Sequence, residues 1–155
     1  MKNFILYAFV MVIVVTGFAS AQAAVNFSGT WVLDIDKSDF GMNNPAVKAR
    51  MNKVTLVIKQ TATQLVIERS TGDTATYNLD GSESINTLPG GGQSKTTVKW
   101  VGNALSAKTV SQIQGMETGM TDERSLSADG KQMTLKITLT TPNGVKNQLL
   151  IYTKQ

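Results

Sequence analysis

The sequence predicts an all-β domain, an antiparallel up-and-down meander of about ten strands closed into a barrel. Three observations predict it. From Phe27 onward apolar and polar residues alternate with a period of two, the pattern of a strand with one buried side. Glycine turn pairs such as Asp80-Gly81, Gly102-Asn103 and Asp129-Gly130 separate the alternating runs. No helical period is long enough to supply the crossovers of a parallel sheet. A meander of this size tends to close, because closure removes its exposed edges.

The elements follow in order. In the first strand Phe27, Gly29, Trp31, Leu33 and Ile35 share one face. Residues 36 to 52 break the alternation. Asp36 to Gly41 is polar, and Asn43-Asn44-Pro45 is a start signal for a short helix reaching about Met51, with Pro45 at its first position. Lys53 to Gln60 buries Val54, Leu56 and Ile58. Gln64 to Ser70 aligns Leu65, Ile67 and Arg69. Gly72-Asp73 turns into Thr74 to Leu79, with Ala75, Tyr77 and Leu79 on one face. Ser82 to Leu88 follows, and then the loop Pro89 to Gly92. Ser94 to Val101 sets Thr96, Val98 and Trp100 opposite Lys95, Thr97 and Lys99. Ala104 to Gln114 and Met116 to Ala128 form the next pair. Lys131 to Thr141 buries Met133, Leu135, Ile137 and Leu139, and Val145 to Lys154 closes the meander.

The first 23 residues read differently. Lys2 precedes an uncharged apolar run from Phe4 to Ala19, and small residues follow at Ala19, Ala21 and Ala23. This is the form of a secretory signal peptide cut after Ala23. The run is shorter than the roughly 20 residues that span a bilayer. The expected organisation is therefore a signal peptide over 1–23 and one barrel domain over 24–155, in a protein that is exported, periplasmic or secreted. No stable membrane anchor is expected after cleavage.

Composition excludes several chemistries. The chain has no His and no Cys, so it can form neither disulfides nor Cys/His zinc sites nor Ser-His or Cys-His catalytic pairs. Beyond Ala23 there are 18 Thr and six aromatic residues, a composition suited to pleated, half-buried surfaces. The net charge of +4 is small and scattered, which argues against nucleic acid as a partner.

Phe27-Ser28-Gly29-Thr30-Trp31 resembles the opening strand of the calycins, the group that holds lipocalins and fatty-acid-binding proteins. The resemblance implies a Trp laid across the closed end of a calycin-like barrel. Trp31-Val32-Leu33-Asp34 with Lys37-Ser38-Asp39-Phe40-Gly41 more closely resembles small exported bacterial lipocalin-like proteins of unknown function. Two departures matter. Fatty-acid-binding proteins carry two helices after the first strand, where residues 36 to 52 have room for one. They also end on an Arg-x-Tyr that grips a carboxylate, where Leu150-Ile151-Tyr152 keeps only the Tyr.

Arg124 and Arg69 stand out as candidate binding residues. Alternation places Arg69 behind Leu65 and Ile67, and Arg124 in register with Met116, Met120 and Leu126. An arginine inside a barrel needs an anion or several acceptors. Asp122 shares the face of Arg124 and could pair with it. Alternatively, the guanidinium could hold a ligand's anionic head, and snorkelling to water from the strand ends is a third reading. Tyr77 and Tyr152 offer polar handles, although Val145, Leu149 and Ile151 compete with Tyr152 for the interior. Met120 and Trp100 complete the expected lining.

Other features carry less. Asp34, Asp36, Ser38 and Asp39 imitate the start of a calcium loop, but that loop's glycine falls on Asp39 and its glutamate on Pro45. Gly90-Gly91-Gly92 lacks the Lys and the helix of a phosphate loop. Asn26-Phe27-Ser28 has the form of a glycosylation sequon, but it overlaps the first strand, and no glycan is expected. Glu68, Glu83, Glu117 and Glu123 look outward, so no catalytic pair is expected. Neither cofactor nor metal is implied.

Small expected inward residues (Ala75, Thr96, Ala107, Thr109, Ser111, Thr118) cannot fill a ten-strand barrel. The expected function is an exported binding protein holding a small hydrophobic or amphipathic ligand. The alternative is a protein-binding module with a filled barrel, an envelope-associated inhibitor or structural factor.

Overall fold

The computed structural model describes residues 25–42, 44–52, 54–89, 91–113 and 116–155. The expected signal peptide lies outside them. The described residues form ten strands and one helix: β1 (Gly29–Asp39), α1 (Pro45–Met51), β2 (Thr55–Gln60), β3 (Gln64–Arg69), β4 (Thr74–Asn78), β5 (Ser84–Thr87), β6 (Gln93–Val101), β7 (Ala104–Ile113), β8 (Met116–Leu126), β9 (Gln132–Thr141) and β10 (Gly144–Lys154). They form one sheet in the order β4-β3-β2-β1-β10-β9-β8-β7-β6-β5. Every ladder is antiparallel. The expected meander is present, and β1 joins the last strand to the second.

α1 begins as expected. Asn44 caps it, its Oδ1 accepting from the Ala46 N–H at 2.9 Å, and Pro45 follows at the first position. It buries none of its residues fully. It is the one helix among the described residues.

β1 departs from expectation. The polar run from Asp36 continues the strand to Asp39 instead of ending it. The ladder with β10 shifts inside that stretch: Asp34 faces Ile151 and Asp39 faces Leu149, so a bulge lengthens β1. Alternation is lost across such a bulge, which is why the segment reads as a loop. Ser38 holds the bulge. Its hydroxyl donates to the Asp34 carbonyl at 2.6 Å and accepts from the Ile151 N–H at 2.9 Å. Just beyond, Gly41 has φ +65°, and a Cβ there would lie 2.1 Å from the Asn147 carbonyl oxygen. Only glycine allows β10 this close.

The core fills the closed end. Trp31, Phe27 and Leu65 have no exposed surface, and Leu33, Leu56, Ile58, Ile67, Leu105 and Met133 pack with them. The indole Nε1 of Trp31 donates to the Phe27 carbonyl at 2.8 Å, and the Lys154 ammonium lies 5.3 Å from its ring centroid. Gln60 fastens the segment leading into β1: its Oε1 accepts from the Phe27 N–H at 2.9 Å and its Nε2 donates to the Val25 carbonyl at 2.8 Å.

β4 and β5 are the ends of the sheet, and no strand ladder joins them. Side chains close this seam. Asn86 bonds both backbone groups of Thr76, and the Ser84 hydroxyl accepts from the Asn78 N–H at 2.7 Å.

Candidate functional site

The barrel interior above the core holds two adjoining cavities. One, of about 320 Å³, is walled by Val54 just before β2 and by Leu56 of β2, Leu135 and Ile137 of β9 and Leu150 of β10. Arg124, Asp122, Arg69, Tyr77, Tyr152 and Met120 also line it. The second, of about 230 Å³, lies toward β5, β6 and β7 and has a hydroxyl-rich wall of Ser94, Thr96, Thr109, Ser111 and Thr118. Arg69, Tyr77 and Met120 border both cavities. The larger volume falls at the lower end of the range for small-molecule sites.

Strand registers explain the polar wall. Ser94 faces Ser111 and Thr96 faces Thr109 across β6 and β7, and Ser111 faces Thr118 across β7 and β8. The Thr96 and Thr109 hydroxyls bond each other at 2.9 Å in a buried position. On the β9 and β10 side Leu135, Ile137 and Leu150 line the larger cavity, with Gln148 and Tyr152 as the polar residues of β10 beside them. The interior therefore has one mainly apolar side and one side rich in small hydroxyls.

Arg124 is the central charge. Spacing of two residues on β8 puts it on the same face as Asp122, and its Nε donates to Asp122 Oδ1 at 3.1 Å. Both side chains are almost fully buried. The guanidinium carbon stands 5.4 Å from the Tyr77 ring centroid. Burial disfavours its charge, but Asp122, followed by the Tyr77 and Tyr152 oxygens, outweighs this and raises its pKa. It stays a cation. One atom of each partner is left over: Asp122 Oδ2 and Arg124 Nη1 are buried and bond no protein group.

Tyr152 settles the contest on β10. Leu150 and Tyr152 are buried and line the cavity, while Val145 and Leu149 are exposed. Ile151 is buried outside the principal cluster, where β1 shifts register. Burial pushes the Tyr152 phenol above its ordinary pKa, with Arg124 and Arg69 opposing. The hydroxyl is therefore protonated and can donate.

Arg69 is half-buried and ion-paired with Asp73 in the β3–β4 turn. Burial opposes the Asp73 charge, but the Thr71 hydroxyl and Arg69 hold the carboxyl below its ordinary range. Both interior arginines thus have carboxylate partners.

Of the six expected lining residues, Arg124, Arg69, Tyr77, Tyr152 and Met120 come together at one cavity. Trp100 does not. It is the last residue but one of β6, 37 % exposed, with its ring stacked on Phe27 at 6.1 Å between centroids. Alternation gave the face of Trp100 but not its depth along the barrel. The pairing of Asp122 with Arg124 follows one of the expected readings, whereas the leftover atoms of that pair were not legible in the sequence. The acidic run after Trp31 serves the β1 bulge and the bend beyond it, with Asp34 accepting from the Lys37 N–H and Asp39 from the Gly41 N–H.

No family model matches the chain, and no curated protein matches it. Solved structures do. A secretory abundant heat soluble protein from Ramazzottius varieornatus is 14 % identical, with a TM-score of 0.61 over 83 % of this chain and 94 % of that one. Lipid binding protein 8 of Caenorhabditis elegans is 13 % identical, with a TM-score of 0.61 over 83 % and 95 %. The zebrafish ileal bile acid-binding protein, complexed with cholic acid, is 17 % identical, with a TM-score of 0.58 over 83 % and 98 %. At these identities the likeness shows a shared fold, the calycin-like barrel.

Proposed function

We propose that the protein is an exported binding protein that takes a small hydrophobic or amphipathic molecule into its barrel. The observation that carries this reading is the cavity of about 320 Å³ above the core, mainly apolar on one side and bearing the Arg124–Asp122 pair. A packed interior would leave no such space. Proteins of the same fold that are named for binding fatty acids and a bile acid support the class of ligand. The apolar leader and the likeness of the first strand to small exported bacterial lipocalin-like proteins support export. The exposed apolar side chains Ile85, Trp100, Val101, Met116, Val145 and Leu149 are spread over the four strands β5, β6, β8 and β10, and scattered exposed residues of this kind are ordinary. They favour the carrier over the protein-binding alternative.

Titration of the mature domain with Nile red, an uncharged apolar dye, tests the reading. Saturable one-to-one uptake with a blue-shifted emission, displaced by amphipathic lipids, is the expected result. Absence of uptake by either dye or lipid would refute the carrier and favour a protein partner. Mass analysis of protein recovered from its native host tests export, with a chain beginning near residue 24 expected.

A further inference from the structure

We infer that the cavity selects an uncharged head group that both donates and accepts a hydrogen bond, such as a primary amide or an alcohol, over a carboxylate. The inference rests on the carrier reading. Its basis is the pair on β8. Arg124 Nη1 and Asp122 Oδ2 are buried without a protein partner, and both residues line the same cavity. The first is a donor that lacks an acceptor, and the second is an acceptor that lacks a donor. An amide satisfies both at once, its carbonyl facing Arg124 and its N–H facing Asp122. A hydroxyl can do the same with one oxygen.

A carboxylate fails on two counts. It offers Arg124 an acceptor but gives Asp122 no proton. It also adds a second anion to a pair whose charges already cancel, and a buried charge without a counter-ion is strongly disfavoured. The other interior cation gives no relief, because Arg69 is paired with Asp73. Tyr152 can donate to any acceptor and so does not discriminate. Among the described residues that line the cavity, each cation thus has its own carboxylate partner.

The experiment compares dodecanamide, dodecanol and dodecanoate by displacement of Nile red from the full mature domain. The three share a tail and differ in the head group. Wild type is expected to bind the amide and the alcohol at least about tenfold tighter than the carboxylate, the scale of one charged hydrogen bond. Asp122→Asn is expected to invert the order, since it frees Arg124 for an anion. If dodecanoate binds wild type as tightly as the neutral pair or more tightly, the inference is overturned and the carrier reading stands. If Nile red binds and all three displace it equally, the head group is not read and the inference again falls. If neither dye nor lipid binds, the carrier reading fails and takes this inference with it. The wild-type ranking decides the matter even if the variant does not fold.

Discussion

The Asn86 side chain stands in for a strand neighbour of Thr76. Its Oδ1 accepts from the Thr76 N–H at 2.7 Å, and its Nδ2 donates to the Thr76 carbonyl at 3.0 Å. A ladder would supply the same two bonds from backbone. Here β4 and β5 are the sheet's two ends, and a carboxamide reaches across between them. The barrel is thereby closed at its edges without a continuous run of backbone pairing.

Asn86→Ala should remove both bonds and leave the Thr76 groups without their partner. At roughly 0.5–1.5 kcal/mol per bond, urea unfolding should show a loss of about 1–3 kcal/mol. Hydrogen exchange at the Thr76 amide should accelerate more than at amides in the β8–β9 ladder. A loss below about 0.5 kcal/mol, the level of a plain surface substitution, would show that the seam is held by other contacts.

Trp31→Ala should cost about 3–5 kcal/mol, since it deletes a fully buried ring at the closed end. Trp31→Phe keeps much of the volume and loses the bond to the Phe27 carbonyl, so it should cost less. Equal effects of the two substitutions would show that the indole N–H, not the ring's bulk, is what matters.

Gln60→Ala should free the Phe27 and Val25 backbone groups from their two bonds. The expected signature is local: faster exchange at the Phe27 amide and earlier proteolysis in the segment before β1. Stability should fall by about 1–3 kcal/mol. Unchanged exchange at Phe27 would refute the clamp.

Stability should be flat around neutrality, because the chain has no His. The Asp73 carboxyl titrates below its ordinary 3.8 when folded, so its stabilisation is present above that value and disappears as pH falls through the folded pKa. The Tyr152 phenol titrates above its ordinary 10.0 when folded. Above that value the unfolded chain loses the proton first, and stability falls as pH rises. Tyr152→Phe should flatten the alkaline limb in a pH series of thermal melts, and Asp73→Asn the acid limb. A Tyr152→Phe protein with an unchanged alkaline limb would contradict the first assignment.

Much of this architecture was legible because period-two alternation and glycine turns act locally. Nine strands and the helix fall within a few residues of expectation for that reason. The extension of β1 was not legible, since a bulge breaks the period that marks a strand and Asp36 and Lys37 then read as solvated loop. Asn86 was equally hidden, as a polar residue on a four-residue strand gives no sign that it replaces a ladder. Arg124 and Asp122 were legible as neighbours on one face. Which of their atoms stay unpaired depends on the whole barrel, and no spacing in the sequence encodes it. Trp100 shows the same limit, with its side correct and its height wrong.

The pairing of β1 with β10 has a consequence for biosynthesis. Leu33 finds its partner Tyr152 only near the very end of the chain. Contacts this distant in sequence carry the full loop-closure cost before any return, so they form late. While ribosomes are still adding the final strand, β1 lacks one of its two neighbours, and the ring cannot shut. The barrel therefore completes its closure only once β10 has been made, although the ladders from β2 to β4 and from β5 to β9 need no residue of β10.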